Sequence, residues 1–365
     1  MSFNQVKKCI MVAGTLRGGS SVVYNALNAH SKIMILGEYV HFFRFIYKHY
    51  DPLNRINVER LLDEMHARLY WRYRVEIDKD KILSAIDSNG YTYQVVYDAI
   101  MTFFLEIMEK DIPGEDAADN WKSIPEFLSL FSDAKVIQVY RDPRAVVASW
   151  KKSSRNNTDY MGVLFNCIDN MKSCSYYKKY LSPDVYYCIK YEDMLMSPER
   201  IVRELCDFID EKFEPLMIQP EKWNELFDGV YMKRGWSSHV GEMKEGFDLT
   251  RINAWNDSLD DWELCMCETI ANDCMKELGY RLSGKKFDTC SALKWIDVVR
   301  ENQFLYKLFS LWLPLKQGSD AYPSNPRDPY TWGIPLRMKE RFVDTDDGKA
   351  YLKVMDEIRK KYSKK

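Results

Sequence analysis

Apolar residues recur along this chain in two rhythms. Residues 9–13 form an unbroken apolar run closed by Gly14, which predicts a parallel strand buried on both faces. A glycine-rich turn follows over residues 14–21. Val22, Val23, Ala26, Leu27 and Ala29 then recur at helical spacing, with Ser20 or Ser21 placed to cap the helix start. Residues 32–37 read as the next strand, ending beside Glu38. An aromatic, helical insert comes next: residues 39–50, then 58–70 with Leu61, Leu62, Met65 and Leu69 on one face, then a helix over about 93–110. Burial of an apolar stripe accounts for most of these residues. Further on, 117–122 reads as a short strand, 126–131 as a helix, 134–140 as a strand running into a helix through Ala145–Ala148, 185–190 as a strand and 198–209 as a helix. The polar residues 151–159 read as a mobile, solvated loop.

Strands alternating with helices predict an α/β fold: a P-loop-like, three-layer arrangement with a central parallel sheet flanked by helices and a ligand at the strands' C-terminal ends. The expected division is a main domain over residues 1–282, carrying the insert at about 39–112, and a C-terminal extension over 283–365 packed on the core. That extension has an aromatic segment at 304–315, too short to span a bilayer. It continues with Pro323, Pro326, Pro329 and Pro335 and ends in a charged helix over 348–365.

Length adds little, since a single α/β domain with insertions can reach 365 residues. A net charge of −2 argues against a nucleic-acid binder, so local basic residues must serve any anion. The nine scattered cysteines lack zinc-site spacing and suit free thiols in a reducing cytosol. With the first strand close to the start and no signal peptide or transmembrane segment, a cytoplasmic location is expected.

The chemistry lies in two turns. Strand, glycine turn and helix make a phosphate cradle, because freed amides at a helix N-terminus point into the turn and the helix dipole favours an anion. Gly14 and Gly19 have the glycine spacing of a mononucleotide P-loop, but Ser20 stands where the loop lysine belongs, and the cation is Arg17. An ordinary strand-to-helix turn would carry the same glycines. In the second turn, Arg141 sits at a strand end and Ser149 lies about two helical turns on, a planar donor fork and a hydroxyl for a second phosphate.

GTLRGGSS, RDPRAVVAS, Leu36-Gly37-Glu38, the segment from Asn120 to Pro125, the segment from Tyr191 to Pro198, Ser237-Ser238 and Leu278-Gly-Tyr280 occur in an order that resembles the PAPS-dependent sulfotransferases. The pattern is nearest the tyrosylprotein and glycan branch and covers roughly residues 8–282. Leu16 replaces the family's proline and Gly18-Gly19-Ser20 its Ser-Gly-Thr, which predicts a more flexible loop.

The resemblance implies a sulfonyl donor, PAPS, with product PAP, and no metal. The 5′ end falls to Arg17, Gly18, Gly19, Ser20 and Ser21, the 3′-phosphate to Arg141 and Ser149, and the adenine to Tyr191. Ser238 and Lys244 resemble a pair that closes over the donor, with Lys233 or Arg234 as substitutes in register. Lys122 is implied to stabilise charge on the sulfonyl group and Glu38 to be the base, with His41 as its competitor; His30 reads as structural. The acceptor is expected to be a hydroxyl or amine of a small molecule or sugar, and a homodimer stays open. Two other functions stay open as well: a P-loop-type kinase, and a catalytically silent PAP-binding protein.

Overall fold

The structure, a computed structural model, describes residues 6–37, 40–154, 157–226, 247–315 and 345–363. Its centre is a five-stranded parallel sheet of β1 (Lys8–Gly14), β2 (Ile33–Leu36), β3 (Ile112–Ala118), β4 (Asp133–Tyr140) and β5 (Tyr186–Lys190), in the order β2-β3-β1-β4-β5. Both faces of β1 are covered, as its apolar run predicts. Ile10 and Val12 face one layer, and Cys9, Met11 and Ala13 the other.

The first layer contains α1 (Ser20–Asn28), which buries Val23, Ala26 and Leu27. On the other face lie α2 (Arg55–Tyr73), α3 (Lys79–Asn89) and α4 (Tyr93–Met108), whose Val96, Tyr97 and Ile100 join Met11 and Leu36 in one core. Short α5 (Ile124–Leu130) leads into β4, and α6 (Pro143–Ser153) and α7 (Val163–Tyr180) connect β4 to β5. After β5 come α8 (Tyr191–Met196), α9 (Pro198–Phe208) and α10 (Pro220–Leu226). Beyond the undescribed residues 227–246 lie α11 (Thr250–Asn253), α12 (Asp261–Ile270) and α13 (Asn272–Glu277).

The tail adds α14 (Thr289–Glu301), α15 (Gln303–Leu315) and α16 (Asp346–Tyr362). Leu305, Leu308 and Trp312 of α15 enter the core formed by α6, α7 and α12. Against α2, α16 buries Tyr351, Met355 and Ile358; full burial of such a side chain is worth about 1.5–3 kcal/mol. Lys361 Nζ and Tyr362 Oη meet Asp63 on α2 at 2.7 and 3.0 Å. Burial opposes the charge on Asp63, but hydrogen bonds from Lys361, Lys79 and Tyr362 outweigh it and hold the carboxyl below the usual range.

Several local expectations need correction. The strand foreseen at 117–122 is the earlier Ile112–Ala118, and Trp121–Ser123 is a single 3-10 turn. Pro113, Gly114, Glu115 and Asp116 disguise β3 as a turn, yet it pairs with β1 on one side and β2 on the other. Among described residues of the aromatic stretch 40–50, only the π-helical turn Phe42–Ile46 is helical. Lys151 is not in a loop but in the last turn of α6, paired with Asp260 at 3.2 Å and Glu263 at 2.6 Å. Neither Ser20 nor Ser21 caps α1. Gly19 is its N-cap and offers no side chain to close the end, while the Val22 amide donates to the Gly19 carbonyl at 3.1 Å. His30 is buried, its Nε2 3.0 Å from the Lys212 carbonyl, which suits the structural role expected of it.

Candidate functional site

The loop after β1 turns sharply. The Gly18 amide donates to the Thr15 carbonyl at 2.6 Å, Arg17 takes a left-handed φ of 68°, and Gly19 follows with φ 101°. Glycine is required at 19 twice over. The backbone is left-handed, and a Cβ there would stand 2.1 Å from Cδ2 of Tyr191. We therefore expect Gly19→Ala to push Tyr191 aside. The left-handed strain alone is about 1–2 kcal/mol, and roughly 2–4 °C of Tm is lost per kcal/mol. A melting curve paired with a PAP titration checks this, and PAP affinity should fall along with Tm.

Leu16 changes the picture of a loosened loop. A proline has no N–H to give, whereas the Leu16 amide donates to Asp119 Oδ1 at 3.1 Å and its carbonyl accepts from Trp150 Nε1 at 3.3 Å. The loop is tied on both sides, and the tie to Asp119 goes through the N–H that the substitution adds. Trp150 also lies 5.9 Å from the Arg17 guanidinium.

Arg141 stands at the end of β4, beside β1 in the sheet. Its Nη1 donates to the Arg17 carbonyl at 3.1 Å and its Nη2 to the Arg251 carbonyl at 2.8 Å, while the guanidinium lies 4.4 Å over the Tyr191 ring. Its buried Nε meets no hydrogen-bond partner among the described residues. Ser149 follows on α6. Arg17, Gly19, Ser21, Arg141, Ser149 and Tyr191 thus line one open cleft. Gly18 and Ser20 belong to the same turn and helix start.

Four cations border this cleft: Arg17, Arg141, Lys152 and Arg251. Tyr191, Leu195, Trp223 and Phe247 line it too, with Trp223 edge-on to Phe247 at 6.0 Å, and Asp248 pairs with Arg251 at 2.9 Å. Cations and flat apolar rings in one lining suit a nucleotide carrying phosphates. Sequence reasoning missed Arg251, Trp223 and Phe247, which belong to no recognisable motif, and read Lys152 only as part of a loop.

The remaining residues of the second turn build its frame. Arg144 is buried and pairs with Asp142 at 2.7 Å and Glu268 at 2.6 Å. Glu192 accepts from the Asp142 amide at 3.0 Å and from Tyr280 Oη at 2.8 Å, which ties β5's end to β4's. Burial raises the Glu192 carboxyl above its ordinary range despite those two bonds.

Other sequence-derived candidates fall elsewhere. Lys122 lies past the end of β3, 64% exposed, with Nζ 3.1 Å from Asp169 Oδ2, and is not among the residues lining the cleft. His41 is buried in the insert, edge-on to Phe45 at 5.7 Å, and also away from the cleft lining. Glu38, Lys233, Arg234, Ser238 and Lys244 lie outside the described residues.

A model of the sulfotransferase family matches residues 9–215, a span that contains both turns and the sheet. The chain belongs to the sulfotransferase family. Among solved structures it is similar to the sulfotransferase domain from the curacin biosynthetic pathway, at 16% identity and a TM-score of 0.50, covering 76% of this chain and all (100%) of that one. The sulfotransferase domain from the Synechococcus PCC 7002 olefin synthase is also similar, at 14% identity and TM-score 0.47 over 74% of this chain and 97% of that one. A third is retinol dehydratase in complex with androsterone and the inactive cofactor PAP, at 16% identity and TM-score 0.40 over 78% and 85% of the two chains. The first of these likenesses speaks for the fold, an α/β sheet flanked by helices. No curated protein sequence matches the chain. Among described residues, no helix is long and apolar enough to cross a membrane.

Proposed function

We propose that this sulfotransferase moves a sulfonyl group from PAPS to a hydroxyl or amine of a small-molecule or sugar acceptor. The observation that carries the reading is the meeting of Arg17, Gly19 and Ser21 from the first turn with Arg141, Ser149 and Tyr191 in one cleft. A donor with phosphate at both ends of its ribose needs two anion sites and a flat wall for its base. The lining residues fit that need, and the free Nε of Arg141 adds a buried donor.

In this reading the amides of residues 19–21 and Arg17 hold the 5′ end, the Gly18 amide being taken by the Thr15 carbonyl, since a helix N-terminus with a glycine at its cap favours an anion. Arg141 and Ser149 hold the 3′-phosphate, and the adenine lies against Tyr191 and Trp223. Transfer is in line. An acceptor lone pair forms the new bond to sulfur, the bond from sulfur to the bridging phosphate oxygen breaks, and PAP leaves with that electron pair. The acceptor's proton passes to the Glu38 carboxylate. Arg17 and Lys122 offset charge during transfer, which requires the Lys122 side chain to leave Asp169. Positioning and preorganised charge carry such a step.

The first test is thermal. A ligand that binds only the native state stabilises it by about 2.7 kcal/mol at a hundred times its Kd. PAP is expected to raise Tm strongly, and ATP at equal concentration much less. Equal shifts would sink the 3′-phosphate assignment, and ATP turnover without PAPS would favour a kinase. Radiolabelled PAPS with a panel of phenols, sugars and amines, products read by mass, then identifies the acceptor class. PAP binding with no transfer to any of them would favour the silent binding protein.

A further inference from the structure

Two buried ionisable side chains outside the cleft converge on one short piece of backbone. Arg68 of α2 is 5% exposed and Glu115 of β3 is 0% exposed. Both reach the segment 40–46, which begins two residues after Glu38. Glu115 Oε2 accepts the Phe42 amide at 2.8 Å. Arg68 Nη2 donates to the Val40 carbonyl at 3.4 Å, and its guanidinium lies 4.4 Å over the Phe45 ring. The segment is therefore held at its start, its middle and its aromatic side.

It also needs holding. His41 adopts a left-handed φ of 46°, sparsely populated for a residue with a side chain, and its carbonyl accepts both the Arg44 and Phe45 amides at 3.0 and 2.9 Å. The Tyr47 amide closes the turn on the Phe42 carbonyl at 2.9 Å. Apolar packing would fill this space at lower cost. Removing a guanidinium and a carboxyl from water is expensive, and among described residues Arg68 Nε and Glu115 Oε1 meet no hydrogen-bond partner. Burial lowers the pKa of Arg68 and pushes the Glu115 carboxyl up to about 8, against the lowering effect of the Phe42 amide. Glutamine is the near-isostere of Glu115 that keeps an oxygen to accept the Phe42 amide. Tyr351 of α16 lies in the electrostatic surroundings of Arg68, so the C-terminal helix also borders this support.

We propose that Arg68 and Glu115 are positioning residues for the transfer step, gripping the 40–46 turn so that the acceptor side of the site, to which His41 belongs, keeps a single setting. This rests on the reading of the chain as a transferase whose acceptor binds beside that segment. Neither residue lines the donor cleft, so donor binding does not depend on them.

The test uses the full chain with radiolabelled PAPS, the same acceptor panel, PAP titration and hydrogen exchange followed peptide by peptide. Arg68→Met and Glu115→Leu are each expected to lower kcat by about 10- to 100-fold, the scale of a small misplacement. KM for PAPS and Kd for PAP should stay within about twofold, since a misplaced acceptor side leaves uniform donor binding alone. Amides of 40–47 should exchange faster, with those of 9–28 unchanged. Glu115→Gln, which keeps an acceptor oxygen for the Phe42 amide, should restore turnover. If Arg68→Met or Glu115→Leu fails to fold, Arg68→Lys, which keeps the charge and loses the fork, carries the same expectation. Normal turnover with unchanged exchange overturns the proposal. So does a loss of PAP affinity in step with turnover and exchange rising throughout, which marks a purely structural role. A wild-type chain that binds PAP and transfers nothing defeats the transferase reading instead, and the local exchange still decides whether the two residues hold the turn.

Discussion

Arg141→Ala is expected to cost PAP binding about 2–5 kcal/mol, the scale for truncating one partner of a buried charged pair. At 1.4 kcal/mol per tenfold this is roughly 30- to several-thousand-fold in Kd. The guanidinium has three roles here. It faces the cleft, it joins the Arg17 carbonyl to the Arg251 carbonyl, and it stacks on Tyr191 at 4.4 Å. Its loss therefore removes a phosphate donor and loosens two walls at once. The way to separate these effects is to titrate PAP and adenosine 5′-phosphate in parallel by calorimetry. If Arg141 reads the 3′-phosphate, PAP loses far more affinity than the nucleotide that lacks this group. Equal losses would mean that Arg141 acts only as a strut. Arg141→Lys should recover little, because an ammonium cannot span both carbonyls in the guanidinium's planar geometry. Ser149→Ala is the milder companion, at about 0.5–1.5 kcal/mol for one net hydrogen bond.

Glu38→Gln is expected to lower turnover by about 10²–10⁴-fold, the usual scale for a lost acid–base group, with PAP affinity nearly intact. The motive is positional. β2 ends at Leu36, so Glu38 is the second residue past the C-terminal end of a strand in the same parallel sheet that carries the phosphate turns. Glutamine keeps the size and removes the basicity, so an effect confined to kcat points to proton transfer. The competing base is His41, and its left-handed backbone dictates how it is tested. Alanine there would add backbone strain, whereas asparagine tolerates the conformation, so His41→Asn is the fair comparison. Near-normal turnover in Glu38→Gln together with collapse in His41→Asn would move the role to His41. Initial rates at saturating PAPS, with the acceptor panel, read both variants.

What the sequence by itself determined was the part governed by local rules. The run at 9–13 is a strand because continuous apolar residues demand burial on both faces, and in 134–140 Val136, Ile137 and Val139 carry the same demand around Lys135 and Gln138; β1 and β4 are adjacent. Each is followed by a turn whose glycines, or whose Asp-Pro pair, set the backbone before a helix, so the two turns were legible along with the side chains they carry. The tertiary structure alone decided what depends on distant neighbours. Pro113, Gly114, Glu115 and Asp116 carry the local signature of a turn, yet they run through the sheet. Gly114 makes this possible, since a Cβ there would stand 2.5 Å from the Ile10 carbonyl oxygen and from Ile35 Cδ1. Gly19 reads as a phosphate-loop glycine, but the ring of Tyr191, far along the chain, adds a second requirement. Arg251, Phe247 and Trp223 carry no motif and enter the cleft only once the sheet order β2-β3-β1-β4-β5 has set β4 beside β1 and β5 beside β4. Leu16 looked like a loosened proline until Asp119 took up its amide. Spacing along a chain reports backbone geometry over a few residues, whereas close approach between remote segments exists only once the strands have paired.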